Sequence, residues 1–282
     1  MRDEWKDTMI LTWRCCLLSL RNPDTLLTSV MLLGLMMALF VFLFGTLIQI
    51  GDMAYVDYIV PGVLLQCVGQ CASTTSVMIC REVRTGMAGR LCILPIHRSS
   101  YLHGHVLEAL TRNLITSLIV LIVAVILGFC PAFDPGGWLL ALVLLICVIL
   151  VFSWLAIIVG LLARSEEGAS ALSALAIILP YLSSGFVPAA AMPGPLAFFA
   201  QVQPLTPITE VIRGALLGLP ADPRMIMLAF GWCALLFIGF CCAGTGCCVM
   251  RSARSNQAFL LHRAAKRKMR VRRSDDEKSA GH

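Results

Sequence analysis

REVRTGMAGRLCILPIHRSSY, residues 81–101, decides how the rest of this chain is read. It is a basic island, with Arg81, Arg84, Arg90 and Arg98, set between two long apolar runs. The whole chain has 282 residues, of which 59% are hydrophobic and 13% charged, and its mean hydropathy is +0.86. A soluble domain carries about 25% charged residues, so this composition belongs to a membrane protein. The net charge of +6 gathers at the chain ends and in this one island. That distribution argues against a nucleic-acid partner and for contact with anionic lipid.

Working outward, residues 26–50 contain no charged side chain, and about 20 apolar residues suffice for one crossing. Segments 59–80, 102–129, 138–163, 169–186 and 225–250 read as five more, with Pro180 predicting a kink in the fifth. The expected fold is an all-α membrane protein of six transmembrane helices. Residues 1–250 form its transmembrane domain and 251–282 a basic tail. Trp5, Met9, Trp13, Leu17 and Leu20 recur at steps of four or three, while Lys6, Asp7, Arg14 and Arg21 lie off that stripe. Residues 1–24 are therefore expected to form an amphipathic helix in the membrane surface rather than a signal peptide. The rival is a helix packed on soluble protein.

Twenty of the 22 Lys and Arg fall on one side of these spans, and only Arg213 and Arg224 on the other. The positive-inside bias places both termini in the cytoplasm. Residues 187–224 are mostly apolar but are cut by Pro188, Pro193, Pro195, Pro204, Pro207, Pro220 and Pro223. Segments 194–202 and 208–217 are too short to cross, so re-entrant helices in the outer leaflet are expected, their backbone buried or lining a wet cavity. An external amphipathic hairpin is the alternative.

Motifs for catalysis are missing. No Gly-Lys pair exists, hence no Walker A loop. His97, His103 and His105 with Glu108 lack zinc spacing, so no metal site is expected. Thirteen cysteines include no CxxC pair, and most lie in apolar runs as small hydrophobes. Glu108 and Arg112, four apart, can pair as a salt bridge or act as a proton relay; their place near the cytoplasmic boundary favours the bridge. Glu210 and Arg213, three apart, allow a similar pair. Gln66, Gln70, Ser73, Thr74 and Thr75 form a polar cluster within the second span. They either line a substrate path or hydrogen-bond a neighbouring helix.

The island from Arg84 through LCILPIHRSS, and GFVP, MPGPL and QPLTPITEVIRGALLG within 185–218, resemble type-2 ABC exporter permeases, closest to the daunorubicin-resistance type. The likeness covers nearly the whole chain; the long basic tail and the cysteine content depart from it. It implies a bacterial plasma-membrane subunit that moves an amphipathic drug or lipid-like compound outward. ATP and Mg would be bound by a separate cytosolic ATPase, leaving this chain without a cofactor and without enzymatic activity. A homodimer or heterodimer of permeases in membrane lipid is implied as well. Trp5, Trp13, Arg81, Glu82, Arg84, Gly86, Arg90, Pro95 and Arg98 are then expected to couple to the ATPase. Gln66, Gln70, Ser73, Thr74, Ser183 and Ser184 are expected along the substrate pathway. Met192, Pro193, Pro204, Glu210, Arg213 and Gly218 are expected in the outer re-entrant segment. Rival readings are a proton-driven secondary transporter, an ABC exporter of a polysaccharide or glycolipid, and a membrane scaffold.

Overall fold

The computed structural model describes residues 4–20, 23–45, 53–87, 98–188, 192–220 and 222–247. In chain order its helices are α1 (Glu4–Leu20), α2 (Pro23–Phe44), α3 (Tyr55–Arg84), α4 (Arg98–Ile126) and α5 (Pro135–Leu162). They are followed by α6 (Glu166–Ile178) with a 3-10 turn (Leu179–Leu182), α7 (Gly194–Val202), α8 (Leu205–Leu217) and α9 (Pro223–Cys247). Among the described residues the architecture is all-helical, as the composition predicted. The basic tail lies outside them.

Helices α2, α4, α5, α6 and α8 all pack against α3, the helix that ends at the basic island. Of its membrane-length window 78% is buried, against 17% for α2 and 11% for α9, which therefore form the outer wall. Its approach to neighbours depends on glycine. A Cβ on Gly62 would lie 2.6 Å from the Gly185 carbonyl oxygen, and one on Gly69 would lie 2.6 Å from that of Ala176. Across the other flank, a Cβ on Gly160 of α5 would meet Ser76 O at 2.6 Å. Small residues let backbones close to this distance where apolar solvent supplies no hydrophobic drive.

Helices α2, α3, α4, α5 and α9 are long and apolar enough to cross a membrane. The segment expected as the fifth span is shorter. Its α-helical part has 13 residues, or about 20 Å, against a hydrocarbon core of about 30 Å. Pro180 explains the break, because it has no N–H to return to the carbonyl of Ala176. The chain tightens into the 3-10 turn there rather than kinking and continuing.

Starts and stops follow local chemistry. Asp134 caps α5 by accepting from Gly136 N at 3.1 Å and Gly137 N at 3.0 Å, with Pro135 in the first turn. Ser165 caps α6 by accepting from Gly168 N at 3.0 Å. Gly86 closes α3 with φ +72°, a left-handed conformation that other residues adopt only under strain.

The two ends of the bundle differ. At the Arg81 end, α1 lies along the first half of α4 with Leu11 and Cys15 buried. Gly104 admits it, since a Cβ there would come 3.1 Å from Leu11 Cβ. The Trp5, Met9, Trp13 and Leu17 stripe faces outward, with Trp5 70% and Trp13 66% exposed. At the opposite end the proline-cut stretch forms α7 and α8. Helix α8 is buried against α3 and α5 along Ile208, Val211 and Ile212, whereas α7 leaves Phe198 and Val202 exposed.

Candidate functional site

At the Arg81 end, polar side chains from α1, α3 and α4 meet below the surface. Glu82, one turn from the end of α3, is the hub. Its Oε1 accepts from Arg14 Nη2 at 3.0 Å, and its Oε2 accepts from Tyr101 OH at 3.0 Å and from His105 Nε2 at 3.1 Å. An ionised carboxylate only accepts, so His105 carries a proton on Nε2. The His105 ring is fully buried, with Nδ1 3.8 Å from Cys15 Sγ. Helix α1 is thus tied to α3 and α4 through one carboxylate.

A second node lies deeper. Arg112 Nη1 donates to Glu108 Oε1 at 3.0 Å, and Ser19 of α1 donates to the same oxygen at 2.5 Å. Arg112 Nη2 reaches across to α3, donating to Cys71 O at 3.1 Å and Thr75 Oγ1 at 2.5 Å. The pair is 7% and 1% exposed, so losing either partner strands a charge inside the protein at a cost of about 3–5 kcal/mol.

Between α1, α2, α3, α4 and α6 these nodes border a cleft of about 720 Å³. It extends along α3 from Gln70 past Arg81 to Thr85 at the end of the helix, roughly 22 Å. Ser29 of α2 and Ser170 of α6 complete its rim, while Val77 and Met78 give it an apolar strip.

The opposite end holds a separate cluster. Arg213 of α8 donates from Nε to Tyr58 O at 3.1 Å and from Nη2 to Ser184 O at 2.7 Å. Its guanidinium also sits 3.7 Å from the centre of the Tyr58 ring. Tyr58 OH donates to Ser184 O at 2.8 Å, and Ser184 Oγ to Glu210 Oε1 at 3.4 Å. Arg213 thus staples α8 to the start of α3 and to the turn after α6.

Comparison with known proteins identifies the frame that carries both clusters. The family described as ABC-2 type transporter matches residues 6–217, which run from α1 through α8. The chain belongs to the ABC-2 type transporter family. A relative from Mycobacterium tuberculosis, named probable doxorubicin resistance ABC transporter permease protein DrrC, is 28% identical over 198 residues. That match covers 64% of this chain and 67% of the relative. The daunorubicin resistance ABC transporter permease protein DrrB1 of Streptomyces coeruleorubidus is 24% identical over 216 residues, covering 75% of each chain. ABC-2 chains are membrane subunits that work with a cytosolic ATPase, which binds the ATP.

In this ABC-2 permease the residues expected to couple to an ATPase separate into two sets. Glu82 is buried in the network, and Arg81 stands exposed on the rim of the cleft with Arg84 exposed beyond it. Trp5 and Trp13 lie on the far face of α1. Gly86 ends α3, while Arg90 and Pro95 fall outside the described residues, as does the side chain of Arg98. The residues expected along the substrate pathway also divide. Gln70, Ser73 and Thr74 line the cleft. Gln66 instead donates through Nε2 to Tyr181 OH. Ser183 and Ser184 are buried at the other end, where Ser183 Oγ donates to Pro180 O at 2.6 Å and accepts from Gly185 N at 3.1 Å.

Of the outer-segment residues, Pro193 and Pro204 immediately precede α7 and α8, Met192 is half-buried, and Gly218 ends α8 with φ +66°. Glu210 turns to Ser184 and Arg213 to backbone carbonyls, so the three-residue spacing does not produce the expected pair. Sequence reading missed Arg14, Ser19, Tyr101 and His105 as members of the inner network. No spacing rule connects Arg14 with Glu82, 68 positions away. The one available signal was Arg14 itself, a charge off the apolar stripe of α1.

Proposed function

We propose that this ABC-2 permease exports an amphipathic small molecule or lipid-like compound, driven by a cytosolic ATPase that docks at the Arg81 end. The observation that carries the proposal is the tie from α1 through Glu82 to the central helix, beside a cleft open at that end. A push on α1 or on the basic island moves Arg14, and Glu82 passes the displacement to the wall of the cleft. The drug-resistance names of the relatives support an amphipathic cargo. So does the cleft, whose volume suits a drug-sized ligand more than a long sugar polymer. Glu108, the carboxylate on which a proton-driven mechanism would depend, is held in a buried ion pair with Arg112.

The basic island and both termini face the cytoplasm in this reading, and α7 and α8 face outward. Two permeases pair through the apolar faces that α2 and α6 leave exposed, among them Leu35, Leu172 and Leu175. The test is to co-purify the chain with its ATPase and reconstitute both in liposomes. Transport that needs ATP and stops when the ATPase is omitted supports the reading. Transport driven by a proton gradient without the ATPase overturns it.

A further inference from the structure

The exporter reading leaves the chemical class of the cargo open, and the charges around the cleft narrow it. Three guanidinium groups border the cleft, those of Arg14, Arg81 and Arg112, against the single carboxylate of Glu82. Counting Glu108, which pairs with Arg112, the ratio among the described residues is three to two. Two of the cationic groups have spare donors. Arg14 Nη1 and Arg112 Nε are both buried and find no hydrogen-bond acceptor among the described residues; Glu108 Oε2 is likewise without a donor, but Glu108, unlike the two arginines, does not line the cleft. A buried guanidinium N–H without an acceptor is costly, and the acceptor that relieves it is an oxygen carrying negative charge. The neighbouring hydroxyls of Ser73 on α3 and Ser170 on α6 suit an oxygen-rich head group. Val77, Met78 and Leu18 line the same cleft and offer apolar contact to whatever joins that head.

We propose that the cleft receives an amphiphile with an anionic head group, a phosphate or a carboxylate, held by Arg14 and Arg112 and admitted past Arg81. This rests on the exporter reading. A cationic head would enter against net positive charge and would leave both N–H groups without an acceptor. A neutral head would satisfy them less well than an anion does.

The full chain in a non-ionic detergent provides the test, with native mass spectrometry reading ligand retention. Dioleoylphosphatidylglycerol is expected to bind about tenfold more tightly than dioleoylphosphatidylcholine: both carry a phosphate, but the choline cation of the latter meets the guanidinium groups of Arg81 and Arg14, which the uncharged glycerol does not. Rhodamine 6G, a cationic amphiphile, is expected to bind more weakly than either. Arg81→Gln changes an exposed side chain and should cut the phosphatidylglycerol preference several-fold. Thr74→Phe should fill the cleft and abolish retention without breaking an ion pair. Equal binding of the two phospholipids, or tighter binding of rhodamine 6G, overturns the proposal. Inorganic phosphate competing as well as the lipid would also overturn it, because the site would then be a free-anion site. In liposomes with the ATPase, ATP-driven movement of labelled phosphatidylglycerol over phosphatidylcholine is expected. If ATP is hydrolysed and a cationic amphiphile moves instead, the anionic cargo is wrong and the exporter reading stands. If no ATPase associates at all, the exporter reading fails, while the binding preference is still judged by the first measurement.

Discussion

Glu82→Gln is the most informative single substitution. The glutamine keeps the length of the side chain and one acceptor oxygen, but removes the charge that Arg14, Tyr101 and His105 all address. Arg14 is 29% exposed at its side chain, so its own bond lies towards the solvent-screened end of the scale, about 1 kcal/mol. The Tyr101 and His105 bonds are more deeply buried, and hydrogen bonds to a charged group contribute about 1.5–3 kcal/mol each. Glutamine recovers a fraction of one of them, so the expected loss is about 3 kcal/mol. Glu82→Ala, which strands every donor, should cost about 3–5 kcal/mol. Because one of the three bonds comes from α1 and two from α4, the loss should fall on the docking of α1 and the first half of α4 against the end of α3. Hydrogen exchange on the purified protein should show faster exchange across Glu4–Leu20 and the first half of α4, with the centre of α3 still protected. With the ATPase in liposomes, ATP hydrolysis should persist while transport falls. A Glu82→Gln protein with native protection of α1 and full transport would refute the linkage. A double-mutant cycle with Arg14→Gln should yield a coupling of about 1 kcal/mol.

Three further substitutions test other joints of the fold. Gly69→Ala places a methyl group 2.6 Å from the Ala176 carbonyl oxygen, a backbone atom that cannot rotate away; α3 and α6 must separate, lowering stability by about 1–3 kcal/mol in thermal unfolding followed by size exclusion. Arg213→Gln removes bonds to Tyr58 O and Ser184 O and the stacking on Tyr58, so proteolysis of the α7–α8 segment should rise and stability fall by about 2–4 kcal/mol. Gly86→Val forces a branched side chain to φ +72°, a strain of about 1–3 kcal/mol at the exit from α3; membrane insertion should be normal and ATP-coupled transport reduced, and normal transport would reduce the island to a topological anchor.

Much of this was legible in one dimension because the bilayer imposes it. A chain that must satisfy its backbone inside hydrocarbon becomes helical wherever it is apolar for long enough, so α2 to α5 and α9 could be read from runs of Leu, Ile and Val. The prolines of 187–224 announced the short α7 and α8. The fifth apolar segment shows the limit of that reading. Its hydropathy showed an apolar run but not its local geometry: Pro180 withholds a hydrogen bond, the α-helical part ends at Ile178, and a 3-10 turn carries the chain on to Leu182.

The basic island kept its place at the end of the helix on which the bundle is built, but its neighbours could only be found in three dimensions. Glu82 read as one of the residues of the island expected to couple to an ATPase, and His105 as one of three histidines without zinc spacing. Their meeting with Arg14, and the division of the polar residues of α3 between a cleft and a packed interior, depend on helix rotation and on contacts as much as 115 residues apart in sequence. Local periodicity and hydropathy set which segments form helices, because those energies act within a few residues. Which face of each helix meets which partner is set by close packing at Gly62, Gly69, Gly104 and Gly160 and by the need to pair buried charge, and both exist only once the helices are together.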